Sequence, residues 1–550
     1  MQLDRRQFHA FALAMLAAGV ARPVLSANAS NARTLLNRLT FGATAESVAQ
    51  FEVLGKEAWL ERELTKPVMD DTLAARLASA KLRIEYEAGN DGPGREWAAR
   101  NEDWPYQYLE ADGATLLRLV DYEQATDYSE RVRPAVEVQA AALTRAVHAD
   151  AQLREVMTQF WHDHFNVNAM KDEHTGAYFA QYDKGLRENA LGSFRALLAH
   201  VARSPSMLFY LNNEASRASP ANENFGRELL ELHTLGAENY FNDLYADWKA
   251  VPGAGEGLAL GYIDQDVYEV ARAFTGWSFG DGRWIAEGDE APRSGAFHYI
   301  DGWHDPYQKR ILAVELGPNR GPMEDGETVL DLLAHHSGTA HFIARKLIRR
   351  LLTDEPSEAL VAAAAATFLA AADAPDQMAQ VIRTIVLSEE FDTTPPRKLK
   401  RPFEYLASLY RATGVDLASP RLDYVWQLSQ AGWNQHEFRP PSGHPDESGH
   451  WANTNTLNGT VNIALYAHEQ WFSGVAANLS VLPKGVSSWG DLFGHWVRQL
   501  GGDDTAVTGE LLAAAEIDPS WTIEGDENER AWAQGSAIGI AALQPHFLFR

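Results

Sequence analysis

The sequence predicts a mainly α fold: a large, multi-helical globular chain with one small aromatic β-hairpin or loop region near residues 278–312. Three observations predict it. Apolar residues recur at three- and four-residue spacing through most of the chain, strand-like alternation is scarce, and glycines and aromatics gather between Trp277 and Leu312. No fixed-period repeat occurs, which argues against a solenoid.

Taken in order, the segment from Ser30 to about Lys66 carries Leu35, Leu36 and Leu39, then Val48, Phe51 and Leu54, then Trp59, Leu60 and Leu64, until Pro67 stops it. A further run covers Thr115 to Tyr122. Helical spacing returns from Pro134 to about Phe165 through Val138, Ala142, Val147, Leu153, Val156 and Phe160. Arg187 to Tyr210 is helical with a break near Ser204-Pro205. Phe225–Gly236 and Gln265–Trp277 read as two short helices, and residues 328–350, 358–372 and 376–389 as three more. Thr393-Thr394-Pro395-Pro396 is the best linker candidate. It divides a main helical domain, 30–392, from a C-terminal helical portion, 393–550, packed on it.

Residues 1–29 read as an address. Arg5-Arg6 precedes an apolar run from about Phe8 to Val20, and Ala27-Asn28-Ala29 suits signal peptidase, the order of a twin-arginine (Tat) signal peptide. The run is short for a bilayer span, which takes roughly 20 residues, and no later stretch is long and apolar enough. The expectation is a periplasmic or secreted protein that meets the Tat translocase during export and keeps no stable membrane span. The formal charge is −27, from 48 basic and 75 acidic side chains, which excludes the clustered cationic surface that nucleic acid and anionic lipid require. The chain has no cysteine, so any metal would need histidine, carboxylate, amide or water ligands.

Three constellations carry chemistry. In Phe160-Trp161-His162-Asp163-His164-Phe165 two histidines flank an aspartate at the end of an apolar helix. Residues two apart on a helix point about 200° apart, so His162 and His164 share a metal only if the helix has already ended; otherwise one is a packed core histidine. In Asn222 to His233, Asn224, Glu228 and Glu231 line one face beside a stripe of Phe225, Leu229 and Leu232. Such carboxylates can bind a hard cation or act as general acid and base, or form a solvated face paired with Arg227 or Arg272. In the aromatic loop, His304-Asp305 and Lys309 offer a base with its orienting carboxylate, or a plain surface loop. A later stretch, Gly443 to Trp451, adds His444, Asp446, Glu447 and His450. Gly276-Trp277-Ser278-Phe279-Gly280 matches a nucleophile elbow in letters only, because it follows a helix and opens a loop.

Leu36–Thr44, Phe160–Phe165, Asn222–Gly236, Asp266–Trp277, Phe297-His298 with His304-Asp305 and Lys309, Phe342–Leu347 and Lys400–Glu404 follow one another in an order that resembles the bacterial "domain of unknown function 1800" family. The resemblance covers nearly all of the chain after the leader. It implies a large exported protein, often Tat-routed, and no settled activity. Two stretches depart from the pattern: an insert around Asp243–Gly257, and the Gly443–Trp451 block.

Two functions are compatible with these residues. One is a metal- or carboxylate-dependent hydrolase of an extracellular or envelope substrate. Its catalytic residues are Glu228, Glu231, His304 and Asp305; its metal ligands are His162, His164, Glu228 and Glu231; its substrate contacts are Arg227, Lys309 and Trp451. Without thiolates, Mg²⁺, Ca²⁺ or Mn²⁺ fits best, with Zn²⁺ or Fe²⁺ allowed by the histidines. The other is a non-catalytic envelope binding or assembly protein, whose polar clusters fix the core and whose 16 tryptophans serve as platforms. Convergence of His164, Glu228, Glu231 and His304 in one cleft favours the first, dispersal the second. A redox-cofactor protein is a third, weaker reading, since no cofactor motif is present.

Overall fold

Glycine and short caps cut the long apolar runs into shorter helices than the spacing alone predicts. The structure is a computed structural model and describes residues 32–466, 475–476, 479–502, 504–514 and 516–550; the signal-peptide segment lies outside the described residues. The first run becomes α1 (Ala32–Leu39), α2 (Ala45–Leu54) and α3 (Lys56–Thr65). Gly42 and Gly55 interrupt it with φ of 113° and 78°, values that side chains with a Cβ rarely adopt.

Between the predicted helices lies an element that the helical spacing did not reveal. Strands β1 (Lys81–Tyr86) and β2 (Arg100–Pro105) pair antiparallel, with Leu82 and Ile84 buried and Lys81, Arg83 and Glu85 exposed. That period-two alternation is the strand signal.

The run from Pro134 splits into α4 (Arg133–His148) and α5 (Gln152–His164), because Ala149 leaves the helical region at the end of α4. Then come α6 (Phe179–Asn189), α7 (Phe194–Arg203), α8 (Pro205–Tyr210) and α9 (Glu223–Glu228). Asn222 caps α9, its side chain accepting from the Asn224 N–H. Helix α9 continues as a π-turn, Leu229–Thr234, followed further on by α10 (Asp264–Ala273). The insert at 243–257 folds as tight 3₁₀ turns.

The aromatic region forms small two-stranded ladders, β3 (Trp277–Phe279) with β4 (Phe297–Tyr299) and β5 (Lys309–Ile311) with β6 (Val314–Leu316). Ser278 lies on β3, buried, with its hydroxyl donating to the Glu214 carbonyl at 2.5 Å, so the Gly276–Gly280 stretch is no nucleophile elbow. Helices α11 (Glu324–Ala334), α12 (Ser337–Leu351), α13 (Glu358–Ala370) and α14 (Gln377–Val386) follow.

The core runs on across Thr393–Pro396. Arg38 of α1 donates to the carbonyls of Phe391 and Thr394 at 2.8 and 2.5 Å, and one hydrophobic cluster extends from Leu35 to Leu548. Within it lie α15 (Pro402–Thr413), α16 (Trp489–Gln499) and α17 (Glu527–Ala542). The last residues return to the linker, where Arg550 and Lys398 exchange backbone hydrogen bonds at 2.8 and 3.3 Å. No described helix is long and apolar enough to cross a membrane.

Candidate functional site

The end of α5 is where polar chemistry meets the core. The helix stays regular through His164, so its three polar residues fan out at about 100° steps. His162 donates from Nε2 to Asp183 at 3.0 Å, and Asp183 also receives Arg187 at 2.6 Å and Arg145 at 3.2 Å. His164 donates from Nε2 to the His233 carbonyl at 3.1 Å, and its Nδ1 is buried without a partner. Burial holds His164 neutral, well below the usual histidine range.

Asp163, between them, points into an ionic network. Its carboxylate accepts Arg401 Nη1 at 2.7 Å and His444 Nδ1 at 3.1 Å. Burial alone would raise this carboxyl, but Arg401 and His444 outweigh it and keep it ionised far below the ordinary range. Arg401 opens α15 and also donates from Nε to Glu404 at 2.9 Å. Glu404 in turn pairs with Arg350, at the end of α12, and with Arg550 at 3.2 Å. Asp446 stands 3.7 Å from Arg350 and 3.8 Å from Arg401 and Lys398.

The loop carrying His444 and Asp446 can reach this network because of one glycine. Gly443 has φ of 70°, and a Cβ there would fall 1.9 Å from the Asp163 carbonyl oxygen. His444 then stacks on Trp433, ring centroids 4.0 Å apart.

A cavity of about 250 Å³ opens between α5, α12, the start of α15 and this loop. Lys346, Arg349, Arg350 and Arg401 line it, with Asp163, Asp446 and Glu447. Arg349, Arg350 and Arg401 have carboxylate partners. Lys346 does not: it is half-buried, 5.3 Å over the Phe342 ring, with no hydrogen bond or ion pair among the described residues. Burial lowers its ammonium to about 8, with Asp163 and Asp446 pulling the other way.

The sequence candidates separate. Because α5 continues through His164, His162 and His164 face different neighbours, and with Glu228 and Glu231 they form no ligand set; no group of three or more His, Asp or Glu suited to a metal occurs among the described residues. His304 is held by the Thr275 carbonyl at 3.0 Å and by Asp325 at 3.2 Å, so Asp325, and not Asp305, orients it. Asp305 grips Arg272 at 2.8 and 3.0 Å instead. Lys309 is buried and committed to Asp325 at 2.7 Å, which leaves no charge free for a substrate. Arg227 reaches Asp264 at 3.4 Å. Trp451 is buried and donates to the Pro445 carbonyl at 2.8 Å, bracing the cavity loop from behind.

Glu228 and Glu231 do lie together. Both are half-buried, and neither has a hydrogen bond or ion pair among the described residues. Burial, and then the Glu231 charge, push the Glu228 carboxyl up to about 7. The π-turn beneath them is closed by Leu235 N–H to Leu230 C=O at 2.9 Å and by the Thr234 hydroxyl to the Leu229 carbonyl at 2.6 Å. Such turns recur at functional sites.

Lys346, Arg350, Arg401 and Glu404 were not among the sequence candidates. Their signal was weak but present: basic residues inside apolar helical runs, at Phe342–Leu347 and Lys400–Glu404, are costly to bury unless paired.

Fold and site together describe a mainly helical protein knit by a buried ionic network, with a cavity lined by four cations and three carboxylates at its edge. The chain belongs to the family described as "Protein of unknown function (DUF1800)", whose model matches residues 34–549. Neither a curated protein nor a solved structure matches it.

Proposed function

We propose that this is an exported envelope binding protein that captures an oxyanion, a carboxylate or a phosphate group, in the cavity beside Asp163. The observation that carries this reading is Lys346, an ammonium on a cavity wall with no hydrogen bond or ion pair among the described residues. A half-buried ammonium without an ion pair is only partly hydrated, and a ligand anion would supply its partner. Arg349, Arg350 and Arg401 line the same cavity but are offset by Asp163, Asp446 and Glu447, which leaves Lys346 as the excess positive charge of the lining. Export rests on the twin-arginine leader.

Titration calorimetry with inorganic phosphate and with acetate tests it. At least one anion is expected to bind, and Lys346→Met to weaken binding about tenfold or more, as loss of a charge-assisted hydrogen bond does. Lys346→Arg is expected to retain part of the affinity. Equal binding by wild type and Lys346→Met would refute the assignment, as would no binding at all.

A second reading, a carboxylate-dependent hydrolase, is favoured by one pairing: Glu228, pushed up to about 7 by burial, lies beside Glu231, and neither has a hydrogen bond or ion pair among the described residues. A general acid works best with such a value. Hydrolysis of model glycosides or esters is then expected to fall as pH rises through about 7, where Glu228 loses its proton. Glu228→Gln should abolish activity with the fold intact. An unchanged pH profile in that variant would remove Glu228 from the chemistry.

A further inference from the structure

A second cavity, of about 580 Å³, is lined by residues between Trp489 and Ala533 and shares none with the first. Trp489 at the start of α16, Trp521, and Trp532 of α17 form its aromatic walls. The Trp489 and Trp532 rings meet edge to face, with centroids 6.3 Å apart and planes at 78°. Trp521 is 44% exposed, a large indole surface left to solvent.

The walls are fixed by backbone pairing. The Trp489 N–H donates to the Trp521 carbonyl at 3.0 Å, the Gly490 N–H to the Pro519 carbonyl at 2.9 Å, and the Ile523 N–H to the Ser487 carbonyl at 3.0 Å. Two of the three indoles are thus carried on one short antiparallel contact, and the third on a 16-residue helix. A site held this way loses little entropy when it binds.

The polar lining is directional and of mixed type. Glu524 accepts the Thr522 hydroxyl at 3.0 Å, and Glu529 accepts the Asp526 N–H at 3.0 Å, its other oxygen having no hydrogen bond among the described residues. The Asn528 side-chain amide has no partner among the described residues and offers both a donor and an acceptor.

We infer that this cleft binds a neutral saccharide, with pyranose rings stacked on the indoles and hydroxyls bonded to Glu524, Asn528 and Glu529. Flat apolar faces edged with hydroxyls match flat indoles edged with carboxylates and an amide. The volume falls in the range of small-molecule sites, about 300–1,000 Å³. Two carboxylates with no cation in the lining disfavour anionic ligands. A quaternary ammonium would also suit indoles and carboxylates, but it has no use for the Asn528 amide or the Thr522 hydroxyl.

Tryptophan fluorescence and calorimetry on the full chain, with maltohexaose, cellohexaose and chitohexaose as probes and tetramethylammonium as the rival, decide the matter. At least one oligosaccharide is expected to bind and to shift the emission. Trp521→Ala, an exposed position, should lower that affinity about tenfold while leaving the thermal midpoint in place. Lys346→Met should leave saccharide binding unchanged, which separates this site from the anion cavity. The proposal is overturned if no oligosaccharide binds, if tetramethylammonium alone binds, or if Trp521→Ala binds as the wild type does.

Discussion

Glu404→Gln is expected to destabilise the protein by roughly 3–5 kcal/mol, the scale for removing one partner of a buried ion pair. Glutamine keeps the shape, loses the charge and turns one acceptor oxygen into an NH2 donor that faces the guanidiniums. Glu404 is buried among Arg350, Arg401 and Arg550, which together overcome the burial that would otherwise raise its carboxyl. Without that charge three buried guanidiniums face one another, with Asp163 and Asp446 as the remaining anions nearby. Arg345→Ala is the control. Its pair with Glu358, at 2.8 Å, is exposed, and such pairs are worth about 0–1 kcal/mol. Urea unfolding followed by circular dichroism measures both. A loss below 1 kcal/mol for Glu404→Gln would mean that water or repacking replaces the carboxylate, and that the network is not what joins α12, α15 and the C-terminus.

The helices were legible because each buries one stripe, and a stripe leaves a period in the sequence. Their ends were less so: Gly42 and Gly55 mark breaks, yet the apolar spacing on either side reads as one run. The β1–β2 pair was missed although Leu82 and Ile84 alternate with charged residues, because two buried positions make a short pattern. The π-turn under Glu228 and Glu231 left no mark, since a one-residue shift in hydrogen bonding changes no residue type.

The site divides along the same physical line. Glu228 and Glu231 could be read as neighbours because i, i+3 spacing on a helix makes them so. The cavity could not, because its contacts join residues 238 apart (Asp163–Arg401), 281 apart (Asp163–His444) and 54 apart (Arg350–Glu404). The residues of densest chemistry, His162, His304, Asp305 and Lys309, are each tied to a charged partner, Asp183, Asp325, Arg272 and Asp325 in turn. Lys346, a cavity-lining cation with no hydrogen bond or ion pair among the described residues, sits in an otherwise ordinary helix.

Stability should fall steeply as pH drops from 6.5 toward 4. Burial lowers His148 and His546 to about 4 and His233 to about 3, and carries His164 and His436 well below the ordinary value. In the unfolded chain all five take up protons near pH 6.5. A histidine with a depressed folded pKa contributes stability above the unfolded value and loses it as pH falls below that. Each proton bound only by the unfolded state costs about 1.4 kcal/mol per pH unit. Glu228 works the other way: raised to about 7, it is protonated in the folded state first and offsets one of the five. These five less the one that Glu228 offsets give a slope of about 5 kcal/mol per pH unit, against a total stability of about 5–15 kcal/mol for a typical native protein. His174, His200, His336, His444 and His495, also lowered by burial, add to it, and His335, raised, subtracts. Glu137, Glu214, Asp266 and Glu269, raised by burial, take up protons in the folded state first and soften the slope further. Thermal midpoints measured from pH 7.5 to 4.5 are therefore expected to collapse near pH 5. His546→Leu should flatten the slope by one proton. A stability that stays level from pH 7 to 5 would show that these histidines ionise in place, and that the unpartnered Nδ1 atoms of His164 and His233 reach water.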